Sequence, residues 1–137
     1  MTEMTAAQSR NLHVGIDIGS TTVKAVVLDA DTNEELFGVY RRHGSQQIQA
    51  TLRVLDEIVA RFPFAHIRCA LCGSGSEDIA RGIGAPFIQE VVAGATAVRA
   101  LYPQANCTIE LGGQDAKMIF FRHDESGVQE LGDMRMN

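Results

Sequence analysis

The sequence predicts an α/β protein: a mixed sheet that opens with an antiparallel meander and carries helices on its faces. Three observations predict it. Apolar runs follow one another across short polar turns near the N-terminus, which makes a meander. Helical periodicity then separates the later apolar runs, which lets further strands join in parallel. One pattern also occurs twice, in "GIDIGSTTVKAV" and "IELGGQDAKMIF": an apolar strand, an acid, a glycine turn and a returning strand.

Taken in order, Leu12 to Asp17 is the first strand and Thr22 to Asp29 the second, and the turn "DADTN" leads to the third, Glu35 to Arg42. In "GSQQIQATLRVLDEIVARFP", Ile48, Leu52, Leu55, Ile58 and Phe62 recur at helical spacing, with Ser45 placed to cap the start and Pro63 to end it. Ile67 to Cys72 is a fourth strand running into "GSGS". Glu77 to Ile83 is a short helix, "APFIQE" an extended piece, and "VVAGATAVRALYP" an Ala-rich helix stopped at Pro103. Asn106 to Leu111 and Lys117 to Arg122 form a second hairpin around "GGQDAK". A turn at Asp124 to Gly127 and a strand at Val128 to Leu131 follow. This hairpin either completes the lobe or starts a related half. Phe62, Phe64, Phe87, Phe120 and Phe121 are read as packing residues, in the core or between lobes.

With 137 residues and 45% hydrophobic content the chain suits one compact domain. Residues 1–11 read as a flexible tail and 12–137 as the folded part. The 12 basic residues are spread out and the net charge is -5, which argues against nucleic acid as a partner. No run reaches membrane-spanning or signal-peptide length, so the expected location is the cytoplasm and no membrane partner is expected. Cys69 and Cys72 lie three apart on a strand and point to opposite faces, which suits packed thiols better than a metal pair, and Cys107 stands alone. His13, His43, His66 and His123 show no ligand spacing and are read as surface or strand-edge residues.

The chemistry sits in the two acidic turns. A glycine hairpin exposes backbone N–H groups and lets a phosphate approach the backbone closely. Gly19 supplies the turn, and Ser20, Thr21 and Thr22 add hydroxyl donors. Asp17 is placed to hold Mg²⁺ through water, since Mg²⁺ takes few carboxylates and several waters. Lys24 is on the returning strand, where its neighbours suggest a solvent-facing position. In the second turn Glu110 stands where Asp17 does, followed by Gly112 and Gly113 and then Gln114 and Asp115. Two such turns can grip a nucleotide's phosphates from two sides, with Gln114 or Asp115 orienting the attacking water. Neither is a Walker loop or a dinucleotide-binding glycine motif.

These residues resemble the actin-like ATPase superfamily, a ribonuclease H-like fold shared by sugar kinases, Hsp70 chaperones and actin. "IDIGSTTVKAVVLD" is similar to its first phosphate loop and "IELGGQDAK" to its second. Within it the chain resembles the ATPase activators of 2-hydroxyacyl-CoA dehydratases and the ATPase subunits of benzoyl-CoA reductases, whose loops read D-x-G-S-T-x-x-K and I-G-G-Q-D-x-K. "GSGS", Gly73 to Ser76, falls where that family has a T-G-Y-G-type loop, without the aromatic residue. Glu110 stands where Asp is usual. Gly94 occupies the place of the histidine in the family's E-x-x-x-H.

The resemblance implies an ATP- and Mg²⁺-dependent activator that drives a low-potential electron into a CoA-ester dehydratase or reductase. Asp17, Gln114 and Asp115 would be catalytic. Gly19, Ser20, Thr21, Thr22, Lys24, Glu110, Gly112 and Gly113 would bind cofactor, with Asp17 and Glu110 as the metal carboxylates. In the family, a cysteine in a later C-x-x-G-T-G segment helps hold a [4Fe-4S] cluster shared across a homodimer. The chain is expected to be the N-terminal lobe only, without cluster ligands and inactive alone. Two other readings stand beside it, a small-molecule kinase of the same fold and a non-catalytic partner-binding module.

Overall fold

The computed structural model describes residues 10–112 and 115–137. The chain divides into two compact units, residues 10–87 and 88–137.

The first unit is built on a four-stranded sheet. Strands β1 (Asn11–Ile18), β2 (Thr22–Asp29) and β3 (Glu35–Arg42) form the meander, and β4 (His66–Cys72) joins β1 in parallel, giving the order β3-β2-β1-β4. Helices α1 (Gln47–Arg61) and α2 (Glu77–Ile83) complete it. Every second residue of β1, Leu12, Val14, Ile16 and Ile18, is buried, and the register places Val27, Ala25 and Val23 of β2 beside the last three of them. Ala50, Val54 and Ile58 of α1, with Leu71 and Ala80, close this core. Strand alternation therefore puts Asp17 and Lys24 on the sheet face opposite the core.

Ser45 does not cap α1. Gly44 and Ser45 both adopt left-handed backbone, with φ of 55° and 64°, and Gln46 becomes the N-cap residue without a side-chain bond. Cys69 pairs with Val14 and packs against the core, while Cys72 pairs with Asp17 on the open face, so the two thiols do point apart. Burial raises the Cys69 pKa. Phe64, expected to pack, is 80% exposed and has φ of 66°, because it sits in the turn just past Pro63. The "APFIQE" segment is extended where Phe87 bridges in parallel to Leu71.

The second unit is a separate three-stranded antiparallel sheet, β5 (Cys107–Leu111), β6 (Ala116–His123) and β7 (Gln129–Met136), preceded by α3 (Glu90–Leu101). The hairpin thus starts a new sheet and does not extend the first. Strand β7 runs further than the expected Val128 to Leu131. Charged residues alternate with Met134 and Met136, so low apolar content hides a period-two strand there. The core is small: Ala95 of α3 with Ile119 and Phe121 of β6, flanked by Val91 and Val98. Gly94 lies over it, where an added Cβ would meet only Ile119 Cδ1, at 4.0 Å. Among the described residues no helix is long and apolar enough to cross a membrane.

Candidate functional site: two acid–lysine hairpins

In the first unit, antiparallel register sets Asp17 opposite Lys24, and Lys24 Nζ donates to Asp17 Oδ2 at 2.7 Å. The lysine is therefore not simply solvent-facing, although its side chain is 43% exposed. Asp17 Oδ1 is buried and has no hydrogen-bond partner among the described residues. The turn closes through Gly19 N–H donating to Thr22 O at 2.9 Å. Ser20 and Thr21 are exposed, whereas Thr22 is buried.

The "GSGS" turn leans on this hairpin. Gly75 N–H donates to Ile18 O at 2.9 Å, and Ser76, fully buried, donates from Oγ to Gly73 O at 2.8 Å. Gly73 has φ of 99°, and an added Cβ would lie 2.4 Å from Ile18 O and 2.5 Å from Asp17 Oδ1. Only glycine permits that approach. His43 Nε2 lies 3.0 Å from Gly19 O, and Gln47 Nε2 donates to the same carbonyl at 3.4 Å. His43 is 5% exposed, so it is a buried support of the loop and not the surface residue expected.

In the second unit the same arrangement recurs. Glu110 pairs with Lys117, and Gly112 N–H donates to Asp115 O at 2.9 Å. Gly113 and Gln114 lie outside the described residues. Lys117 is buried, its side chain 7% exposed, and its ammonium donates to Glu90 at the start of α3. Asp115 Oδ2 is 3.6 Å away and Glu110 Oε1 3.9 Å. Burial pushes the Lys117 pKa down, but the Glu90 hydrogen bond and the charges of Glu110, Glu90 and Asp115 outweigh it, so the pKa ends above the usual lysine value.

Sequence reasoning singled out both acids and both turns but missed Lys117, Glu90, His43, Gln47 and Gly73 as supports. One signal was available for Lys117: it follows Glu110 by seven residues, as Lys24 follows Asp17. Glu90, His43 and Gln47 come from distant segments and carry no local pattern, and the "GSGS" pattern marked Gly73 only as a turn residue.

No protein-family model matches the chain, and no curated protein matches it. Solved structures do. Component A of (R)-2-hydroxyglutaryl-CoA dehydratase from Acidaminococcus fermentans aligns over 92% of this chain and 47% of its own, at 24% identity and a TM-score of 0.71. The ethanolamine utilization protein EutJ from Carboxydothermus hydrogenoformans aligns over 92% and 51%, at 20% identity and 0.62. The Aquifex aeolicus PPX-GPPA enzyme aligns over 91% and 51%, at 17% identity and 0.55. The fold is the actin-like ATPase fold. The chain spans about half the length of these solved structures.

Among the described residues no group of three or more His, Cys, Asp or Glu is arranged to hold a metal. A single carboxylate, Asp17, with an unpartnered buried oxygen beside exposed hydroxyls suits the sparse protein ligation of Mg²⁺. Cys69 and Cys72 face opposite sides of their sheet and do not suit shared ligation of one [4Fe-4S] cluster.

Proposed function

We propose that this chain is the ATP-binding lobe of an actin-like ATPase that activates a 2-hydroxyacyl-CoA dehydratase or a related CoA-ester reductase by ATP-driven electron transfer. The observation that carries the reading is the repeated hairpin: an acid paired with a lysine seven residues on, around a turn closed by a glycine N–H. The actin-like fold and the dehydratase component among the structural neighbours support it.

In this reading Gly19, Ser20, Thr21 and Thr22 grip phosphate, and Lys24 balances charge beside Asp17. Asp17 holds Mg²⁺ through water. In the second hairpin Glu110, Gly112 and Gly113 bind phosphate or metal, and Gln114 or Asp115 positions the attacking water. Bound Mg²⁺ would neutralise charge developing on the phosphates. The iron–sulfur cluster and the homodimer belong to the whole protein, in the cytoplasm, and the physical partner is the dehydratase or reductase component. The chain alone binds nucleotide weakly and does not turn it over.

The test is an NMR titration of ¹⁵N-labelled chain with ATP–Mg²⁺. The expected result is shifts of the Gly19–Thr22 amides with a dissociation constant of roughly 1 mM. Amides that stay unmoved at saturating ATP would reject the nucleotide reading, and phosphorylation of an added sugar would replace it with the kinase.

A further inference from the structure

His43 is tied to the first turn by two donors. Its backbone N–H donates to Thr21 O at 3.1 Å, and its ring Nε2 lies 3.0 Å from Gly19 O. On the other side of the ring, Ser45 N–H donates to Nδ1 at 3.1 Å. A carbonyl can only accept and an amide N–H can only donate, so these partners settle the ring: the proton is on Nε2 and the lone pair on Nδ1. Burial to 5% exposure keeps water from competing for either bond.

Gly19 C=O and Ser20 N–H belong to one peptide, and among the described residues there is no cis peptide bond. In a trans peptide the C=O and N–H point opposite ways. Holding the carbonyl against the buried imidazole therefore turns the Ser20 N–H away from it, on a residue that is exposed.

We propose that His43 is a positioning residue for this turn: its Nε2–H fixes the Gly19–Ser20 peptide so that the Ser20 N–H is presented as an anion donor to a phosphate. The donor role rests on the nucleotide reading above, while the pinning of the peptide does not. Gln47, whose Nε2 reaches the same carbonyl at 3.4 Å, is the weaker second strut.

Three variants separate the ring's hydrogen bonds from its bulk. His43→Gln keeps a donor at about the reach of Nε2, His43→Asn keeps an acceptor near the place of Nδ1, and His43→Leu keeps neither. In nucleotide-free ¹⁵N-labelled chain, the Ser20 amide resonance should keep its wild-type position in His43→Gln and move or broaden in the other two. Affinity for ATP–Mg²⁺ should fall about tenfold in His43→Asn and His43→Leu and stay within about threefold in His43→Gln. Equal behaviour of the Gln and Asn variants overturns the proposal. So does a wild-type imidazole ¹⁵N spectrum with the proton on Nδ1, which needs no variant to fold. If the Ser20 amide behaves as expected while wild-type chain ignores ATP, the pin stands and the nucleotide reading falls.

Discussion

The two hairpins share a register and a turn hydrogen bond but differ in how their lysines are held. Lys24 is 43% exposed and donates to Asp17 at 2.7 Å. Lys117 is 7% exposed and has three around it: Glu90, Glu110 and Asp115. An exposed pair is screened by water and worth little, whereas a buried ammonium depends on its partners. The same sequence pattern therefore makes an adjustable charge pair in one unit and a structural anchor in the other. In the second unit α3 brings Glu90 to the buried ammonium on β6, whereas the Lys24–Asp17 pair lies on the open face of the first sheet.

The strongest way to break this contrast is Lys117→Met. It leaves three acids around an apolar side chain and should cost the second unit about 3 kcal/mol, read from urea unfolding. A loss under about 1 kcal/mol would show that the anchor is not one. Gly73→Ala attacks the first hairpin alone. Positive φ together with approaches of 2.4 and 2.5 Å to Ile18 O and Asp17 Oδ1 should cost about 2–3 kcal/mol. Gly84→Ala, with φ of 70° and nothing within 4 Å, should cost only about 1 kcal/mol. Equal losses at the two glycines would mean that the close packing against Asp17 contributes nothing.

Lys24→Met should change stability by no more than about 1 kcal/mol, since the pair is half-exposed. Smaller still is Glu110→Asp, about 0.5 kcal/mol or less, because Glu110 is 46% exposed and only 3.9 Å from Lys117.

Alkaline pH sharpens the comparison. The folded pKa of Lys117 is raised, so its contribution is complete below the unfolded lysine value of about 10.4 and disappears as pH climbs through the folded value. The stability gap between wild type and Lys117→Met should narrow over that climb; a gap independent of pH there would deny the role of the ammonium. Acid acts elsewhere. Backbone N–H bonds from Thr32 and Asp31 depress Asp29, and bonds from the Ser126 hydroxyl and the Val128 N–H depress Asp124. Both contributions are present above about pH 3.9 and are lost as pH falls through the depressed values.

Local pattern made most of the fold legible. The alternation of Leu12, Val14, Ile16 and Ile18, the heptad-like spacing in α1 and the glycine turns each state their own conformation within a few residues. Both acids were visible because an acid that closes an apolar strand is conspicuous. His43 was not, since nothing nearby in sequence tells that its ring reaches back 24 residues to the Gly19 carbonyl. Gly73 was visible as a turn former, but not as the residue that makes room for Asp17.

By itself, then, the sequence determined the order of the elements, the meander, the faces of the strands and the two acidic turns, because these depend on neighbours close along the chain. Tertiary structure alone decided which lysine is buried, which carboxylates surround it and which distant imidazole holds the Gly19 turn. Those outcomes depend on desolvation and on contacts between segments far apart in sequence, and side-chain periodicity does not encode them.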